Sequence, residues 1–417
     1  MTDTNNKLKE KAQQRLLSVQ DKISNLSHQI HDHPEVSLHE INACKWLSDF
    51  LEEDGFHVER GVAGLSTSFV AKKGTGDLHV AFCVEYDALP EIGHACGHNI
   101  NATACIGAGI ALSAVASETD LTVYVIGTPG EEAGGGKIIL LEKGIFDNIH
   151  AAMMVHAAPI DVLNLHVSAL QEFETHYYRQ EGNLSSNPED ALILAATAIG
   201  LLRRYLLATD RITGVIMPGA NDPETISQHG FAKYIIRSSS TDRLLELTKA
   251  ALNCFEGVAR ATGTKLEIIY TEKTYLNLKQ DQEILSLYKT NAEALGRTFA
   301  ETANKSNRWE LKLIKFFLRQ INVSLSDAVK AILVSKPSST DMGNISLKIP
   351  SIHPAIGINS SLLYPIHHPK FAEATITSDA DKAILDGALA LAWTAIDIAQ
   401  NNHLRNRLLK HQNEHEK

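Results

Sequence analysis

Short apolar runs alternate with helical stretches over the first 155 residues, and this alternation constrains the fold more than any other feature. The runs at 69–71, 79–84, 121–126 and 151–155 are rich in apolar or β-branched residues, which favours short strands. Between the second and third runs, a helix of small residues is predicted over about 102–115. Strands that alternate with helices indicate an α/β fold in which helices cover the sheet.

The middle of the chain follows a different order of predicted elements. In sequence they are a strand at 168–179, a helix at 188–206, strands at 212–217 and 232–237, a helix at 241–262 and a strand at 266–270. This βαββαβ order is that of a ferredoxin-like sandwich. We therefore predict an inserted domain over 169–285. The first domain, with a mixed sheet between helices, comprises 1–168 and 286–417.

Helices are also predicted near both ends of the chain. Apolar residues at helical spacing from Leu8 to Ile30 predict one amphipathic helix that ends before Pro34. A helix at about 379–400 is apolar on most faces, which predicts that it is buried. The segment 303–335 is dense in aromatic and aliphatic residues with interleaved lysines. It is interpreted as an amphipathic helix or an interface element.

Composition excludes several classes of function. The formal net charge is −10 and no basic run stands out, which argues against a nucleic-acid partner. We find no apolar run of about 18 residues and no apolar signal region, so no membrane association and a cytoplasmic location are expected. Five cysteines are an odd count in a long chain, which argues against a disulfide framework.

Cys96 and His98 flank Gly97, so both side chains can reach one point from a tight turn. Thiolate and imidazole groups are zinc ligands. Most cysteines in such positions are nevertheless buried and inert. The pair alone therefore leaves both interpretations open.

Glu131 and Glu132 follow the predicted strand 121–126 on a turn that contains Pro129. One carboxylate can bind a metal while the other acts as a general base on a water molecule. Alternatively, the two form a solvated pair at the start of a helix, where the helix dipole favours negative charge. The run of three glycines at 134–136 indicates close backbone approach or unusual torsion angles, which weighs against the second interpretation.

Other polar residues also follow predicted strands or turns. His156 comes directly after the run 151–155, and Asp87 comes shortly after the run 79–84. Asp87 can orient a histidine ligand or cap a turn. Each of these residues, like His367 and His368, has an ordinary structural explanation by itself. Because they all follow strands or turns of one α/β domain, we predict that they share a site.

Five segments resemble the motifs of metallopeptidase family twenty, and most closely those of its amidohydrolase branch. They are EYDALPEIGHACGHN, GTPGEEAGGGK, MMVHA, SSTDMGNIS and HHPKF. That branch includes aminobenzoyl-glutamate hydrolases, indole-acetyl-amino-acid hydrolases and dipeptidase-like members. The segment HDHPEVSLHE and the inserted domain fit as well, so the resemblance covers nearly the whole chain. HACGH and GEE together are quite specific, whereas HHPKF alone is not.

The resemblance implies a metal-dependent hydrolase of amide bonds in N-acyl amino acids or dipeptide-like substrates, with two divalent ions, zinc or manganese. Cys96 would bridge the two ions, and Glu131 would be the general base that moves a proton from water to the leaving amine. Asp87 would contact a ligand residue, not the metal itself, and would hold that ligand in its orientation. The remaining ligands would be His98, Glu132, His156 and His367.

The resemblance also decides between two adjacent histidines and assigns a role to the inserted domain. His367 is preferred over His368 because the family pattern reads His-x-Pro-x-Phe, and Phe371 sets the register. The inserted domain would act as a lid and as the interface of a homodimer.

The predicted lid departs from the family pattern. Asn183 and Thr213 stand where relatives carry histidines that bind substrate, and a further family segment is replaced at 224–227. We assign Asn183 and Thr213 to substrate binding. The altered lid leaves an alternative function open, a metal-binding relative with little activity that serves in binding or regulation. The complete ligand set argues against a third possibility, a metal-free structural protein.

Overall fold

A computed structural model describes residues 3–165, 167–183, 186–217, 219, 227–299 and 338–415. The chain divides into two compact units. Described residues of the first unit are 3–165, 279–299 and 344–415, and those of the second lie within 167–278 and 338–343. The first unit thus resumes at Lys279, where the sequence predicted residue 286. The whole segment 303–335 and residues 224–226 lie outside the described residues.

A six-stranded mixed sheet forms the centre of the first unit, in the order β1-β2-β4-β3-β5-β11. Strand β3 is parallel to both β4 and β5, and β5 is parallel to β11. Strand β2 is antiparallel to both of its neighbours, β1 and β4. A separate parallel pair joins β6 and β12. The strands are β1 His57–Arg60, β2 Phe69–Lys73, β3 Leu78–Val84, β4 Leu121–Gly127, β5 Ala151–Met153, β6 His156–Ala158, β11 Ser351–Ile352 and β12 Ala355–Gly357. The predicted α/β fold is confirmed.

The helix that follows β3, α4, lies directly on this sheet. Every residue of α4 from His98 to Leu112 is buried. A Cβ at Gly109 would lie 2.3 Å from a methyl carbon of Val125 on β4, so only glycine allows the helix to approach the sheet this closely. The helices of the first unit as far as Ala294 are α1 Asp3–Leu17, α2 Gln20–Asp32, α3 Ile41–Glu53, α4 His98–Ser113, α5 Gly136–Glu142 and α8 Gln282–Ala294.

The C-terminal part of the chain adds further helices. They are α9 Met342–Ser346, α10 Pro369–Ala374, α11 Ser378–Gln400 and α12 Asn402–His415. Helix α11 packs against α4. By length and composition α11 could cross a membrane, but 83% of its apolar window is buried within the protein. It therefore forms part of the core, as the sequence predicted.

The prediction of one helix from Leu8 to Ile30 is wrong, because the segment forms two helices that separate at Ser18 and Val19. The hydroxyl of Ser18 donates a hydrogen bond to the carbonyl of Arg15 at 2.7 Å, an alternative to regular helical bonding. Val19 has φ −125° and ψ 8°, outside the helical region. The apolar stripe still faces inward on both sides of the break, with Leu8, Ala12, Leu16, Ile23, Leu26 and Ile30 buried.

The second unit has the predicted βαββαβ order. Its antiparallel sheet has the strand order β10-β7-β9-β8, and apolar side chains from the sheet and both helices form its core. Asn187 caps α6 by accepting a hydrogen bond from the Glu189 amide, and Gly263 ends α7 in the left-handed region. The elements are β7 Ala169–Tyr178, α6 Pro188–Leu202, β8 Arg211–Met217, β9 His229–Ser238, α7 Thr241–Thr262 and β10 Lys265–Tyr270.

Candidate metal centre

The segments that follow adjacent parallel strands of the first unit bring the predicted site residues together. Asp87 and then His98 follow β3, the two glutamates follow β4, and His156 begins β6 shortly after β5. Because β4, β3 and β5 are neighbours in the sheet, these segments meet at one edge. This is the edge where α/β sheets commonly bind ligands.

The turn at Gly97 sets Cys96 and His98 side by side. Gly97 has φ 83° and caps α4, and a Cβ at this position would lie 2.6 Å from the Cβ of Ala157. Only glycine therefore permits both the torsion angle and the contact. The sulfur of Cys96 lies 3.5 Å from Nε2 of His156. Cys96 and His98 are both buried, so their side chains face a site inside the protein.

Two groups of potential metal ligands share Cys96. The ligand atoms of Cys96, His98 and His156 lie within 4.8 Å of one another, and so do those of Cys96, Glu132 and His367. A thiolate common to both groups suits a position between two cations. All five residues that the sequence predicted as ligands thus lie in one cluster.

Buried polar atoms without partners indicate that the cluster suits a cation. Among the described residues, Nε2 of His98 and Oε1 of Glu132 are buried and accept or donate no hydrogen bond. Each unpaired buried polar group costs roughly 1–3 kcal/mol, and a cation would satisfy both. Thiolate, imidazole and carboxylate groups together suit a divalent ion such as zinc. Burial, followed by nearby Glu132, raises the pKa of the Cys96 thiol well above its usual value, so a bound cation is needed to stabilise the thiolate.

The carboxylate of Asp87 orients this cluster through hydrogen bonds. Its Oδ1 accepts a hydrogen bond from Nδ1 of His98 at 3.0 Å. Its Oδ2 accepts from the Ser37 hydroxyl at 2.6 Å and from the Glu132 amide at 2.9 Å. Burial would raise the pKa of Asp87, but His98 and Ser37 keep it below its usual value, so the carboxylate stays ionised. With Nδ1 donating, Nε2 of His98 is left free of its proton and can bind a cation.

The loop that carries Glu131 and Glu132 has the unusual torsion angles and the close backbone approach that the glycine run predicted. Gly134 and Gly135 have φ of 100° and 65°, and a Cβ at Gly136 would lie 1.7 Å from the carbonyl oxygen of Pro129. Only 8% of the Glu131 side chain and 13% of the Glu132 side chain is exposed. The alternative of a solvated pair at a helix start is therefore wrong.

Of the two adjacent histidines, His367 reaches the cluster. Nε2 of His367 lies 3.5 Å from Oε1 of Glu132, and its amide donates to the carbonyl of Ala95 at 2.8 Å. His368 instead caps α10, since its Nδ1 accepts a hydrogen bond from the Lys370 amide at 3.1 Å. The two neighbouring residues therefore have different roles.

A buried ion pair beneath the cluster was not predicted from the sequence. Oε2 of Glu85 lies 2.7 Å from the ammonium of Lys137, and both side chains are fully buried. Oε1 of Glu85 lies 3.6 Å from Nε2 of His98 and 3.8 Å from Nε2 of His156. Burial alone would raise the pKa of Glu85, but Lys137 and His98 leave it below its usual range. A single sequence gives no signal that these two charges meet inside the protein.

Asn101 connects this ion pair to the ligand that follows β5. Its amide donates to Oε1 of Glu85 at 2.9 Å, and its carbonyl oxygen accepts from the Ala157 amide at 2.7 Å. Ala157 is the neighbour of His156, whose Nδ1 bonds the Ala157 carbonyl at 2.8 Å. The pair therefore supports the backbone that presents His156.

Opposite changes of charge in this pair are expected to have opposite effects on metal affinity. Glu85→Gln removes the negative charge 2.7 Å from the Lys137 ammonium, which makes the surroundings of the cations more positive, so we expect metal affinity to fall by about 10-fold or more. Lys137→Met leaves an extra carboxylate, so affinity should not fall, and the double variant should lie near the wild type. Competition with a chelator measures the affinity, and thermal melting controls for folding. Equal weakening in both single variants would contradict this electrostatic account.

The two predicted lid residues lie in the second unit. The amide of Asn183 donates to the carbonyl of Gly263 at 3.4 Å, and Asn183 lines a cavity of about 240 Å³ together with Arg179. Thr213 is exposed on β8, opposite Ile235 of β9. Their assignment to substrate binding stays a prediction.

Comparison with known proteins identifies the family. The sequence pattern of Peptidase family M20/M25/M40 matches residues 81–382. The chain belongs to this family. The matched range contains every predicted ligand, the two adjacent glutamates and the whole inserted unit.

Curated relatives span most of the chain. It is 32% identical over 411 residues to the Xaa-Arg dipeptidase of Mus musculus, an alignment that covers 94% of this chain and 89% of the relative. It is 26% identical to one of the subunits of p-aminobenzoyl-glutamate hydrolase from Escherichia coli (strain K12), covering 90% and 88%. The structure of the YXEP protein of Bacillus subtilis, described as a dinuclear metal-binding peptidase, has a TM-score of 0.67 at 19% identity, covering 92% and 99%. The chain is an enzyme that hydrolyses amide bonds.

Proposed function

We propose that the enzyme is a dipeptidase with a preference for a basic C-terminal residue, and that it uses two divalent cations. The ligand groups that share Cys96 carry the proposal of two cations. The substrate is supported by the 32% identity to an Xaa-Arg dipeptidase, against 26% to an aminobenzoyl-glutamate hydrolase. The residues that would hold the cations are Cys96, His98, Glu132, His156 and His367.

The chain's own residues account for the proton transfers. When bound, the cations would polarise the scissile carbonyl and make the attacking water more acidic. Glu131 is buried, and its Oε2 lies 3.8 Å from Nε2 of His98, so its carboxylate borders the cluster. It accepts a proton from the attacking water and delivers it to the leaving amine. Asp87 keeps His98 in the orientation that this arrangement requires.

We propose zinc or manganese as the bound metal. A thiolate ligand makes the site softer, which favours zinc over magnesium or calcium. Elemental analysis of protein purified without added metal would identify the ion. Magnesium or calcium as the bound species would contradict the role of the thiolate.

A panel of amides tests the proposed substrate class. We expect alanyl-arginine and alanyl-lysine to give a kcat/KM at least about 10-fold above alanyl-glutamate, aminobenzoyl-glutamate and N-acetyl amino acids, since charge complementarity contributes on this scale. A chelator should abolish hydrolysis, and added zinc or manganese should restore it. If metal binds but every amide is left intact, the alternative of a metal-binding relative with little activity is favoured.

We propose that the second unit forms a homodimer interface. Strand β8 lies at the edge of its sheet and carries exposed Val215, Ile216 and Met217, at 61%, 42% and 42%. Helix α6 exposes Ile193 at 66% and Leu201 at 56%. Unpaired edge strands and exposed apolar side chains are typical of surfaces that pair with a second copy. Sedimentation equilibrium should give twice the 45.6 kDa chain mass, and a single-chain mass would contradict the proposal.

A cytoplasmic location is also proposed, without a membrane or nucleic-acid partner. All five cysteines are free thiols, which is typical of a reducing compartment. The net charge of −10 disfavours binding to nucleic acid. Cell fractionation followed by detection of the protein would test the location, and recovery with membranes would contradict it.

A further inference from the structure

A buried histidine beside the ligand cluster takes no part in the proposed metal binding or proton transfers. His353 is 2% exposed, and its ring centroid lies 5.7 Å from that of His156. Among the described residues, neither Nδ1 nor Nε2 of His353 has a hydrogen-bond partner. Buried polar groups are nearly always paired in folded proteins, so this ring points to a partner that comes from outside the chain.

The position of His353 is fixed by the sheet. It follows β11, which pairs in parallel with β5, and its amide donates to Oε1 of Gln280 at 2.8 Å. The side-chain amide of Gln280 in turn bonds Oδ1 of Asn164 at 3.2 Å. The imidazole is therefore held on a rigid element, as a residue that recognises a ligand must be.

The His353 ring has the chemistry of a neutral donor. A side chain enclosed in the protein interior is less costly as a neutral imidazole than as a charged one. A neutral imidazole offers one N–H donor and one acceptor nitrogen. Neither nitrogen belongs to a group of three potential metal ligands among the described residues. An oxygen atom that accepts a hydrogen bond is therefore a better partner than a metal ion.

The strand order places His353 away from Glu131 along the edge of the sheet. Glu131 follows β4 and His353 follows β11, and the order β4-β3-β5-β11 separates these strands by three steps. At about 4.8 Å a step, their backbones lie roughly 14 Å apart along the sheet edge. The attacking water must lie next to Glu131, whereas His353 lies beside His156, towards the other side of the cluster.

We propose that His353 is a substrate-binding residue. Its N–H donates a hydrogen bond to an oxygen atom of the substrate, the scissile carbonyl or a carboxylate, on the side of the metal centre away from Glu131. The inference depends on amide hydrolysis at this centre and is independent of the preference for a basic residue.

Two substitutions of His353 test the proposal on the amide that the wild type hydrolyses fastest. His353→Phe keeps a ring but removes the donor, and we expect kcat/KM to fall by about 100-fold, as when an oxyanion donor is lost. His353→Asn retains a donor and should stay within about 10-fold of the wild type. Metal content, measured by elemental analysis, should be unchanged in both. His150→Phe is the matched control, because His150 is a buried histidine at the other end of β5.

Substrate binding provides a second measurement. Isothermal titration of the same amide into metal-loaded Glu131→Gln, with and without His353→Phe, should show about 10-fold weaker binding in the double variant. An unchanged dissociation constant would place His353 on the attacking water and overturn the proposal. So would wild-type kcat/KM in His353→Phe, or a loss of metal that parallels the loss of activity. Each variant is compared with the wild type on one amide, so failure of the basic-residue preference leaves the test intact.

Discussion

Replacing Glu131 with glutamine is expected to reduce kcat by about 1000-fold while two metal ions remain bound to each chain. General-base catalysis contributes roughly 10²- to 10⁴-fold, and an amide cannot accept the proton of the attacking water at neutral pH. The exchange keeps the size and hydrogen-bonding capacity of a side chain that is 8% exposed, so the loop should keep its conformation. Stopped-assay rates and elemental analysis of the same sample measure both quantities.

The matched control for this variant is Glu53→Gln at the exposed C-terminal end of α3, which should keep wild-type kcat. Loss of metal from Glu131→Gln would contradict the assignment. Glu131 would then be a metal ligand itself. This alternative has a structural basis, because Glu131 forms a group of potential ligands with His98 and Glu132. The two outcomes separate the roles of the adjacent glutamates.

Cys96→Ser is expected to lower the metal content from two ions to one or fewer per chain, with a loss of kcat/KM of about 100-fold or more. Cys96 is the residue common to both groups of potential ligands, so its loss would affect both of the proposed cations. A serine hydroxyl does not ionise near neutral pH and would not replace a thiolate as a ligand. Elemental analysis after removal of excess metal measures the effect.

Cys105→Ala serves as the control, because Cys105 is fully buried on α4, the helix that begins two residues after Cys96, and lies outside the ligand groups. It should cost about 1 kcal/mol of stability or more, through the small cavity, and keep both metal ions. Unchanged metal content in Cys96→Ser would refute the bridging role of this residue. Thermal melting of both variants separates loss of metal from loss of fold.

Much of the fold could be predicted from the sequence because periodicity and glycine placement act locally. The helix over 241–262 has the predicted bounds, and its end at Gly263 follows from the left-handed conformation that glycine favours. The break between α1 and α2 could not be predicted, because the apolar stripe continues in register on both sides. It depends on one serine hydroxyl and on the backbone of Val19.

The site was predictable where ligands lie in recognisable motifs, and not where a contact depends on the tertiary fold. Cys96, His98 and the adjacent glutamates stand in segments whose turns are set by nearby glycines. Glu85 and Lys137 are 52 residues apart, and their pairing depends on the approach of α5 to the end of β3. His353 is a single histidine after a two-residue strand, and only the strand order places it beside His156. A histidine at the end of an apolar run, IPSIHP, was the available signal.

A metal titration of the apoprotein, with amide hydrolysis followed in the same samples, tests the central claim most directly. The chain would be stripped with a chelator and titrated with zinc or manganese. The two ligand groups that share Cys96 predict saturation at two ions per chain, with hydrolysis rising as the second ion binds. Saturation at one ion, or full hydrolysis by the metal-free chain, would contradict the account.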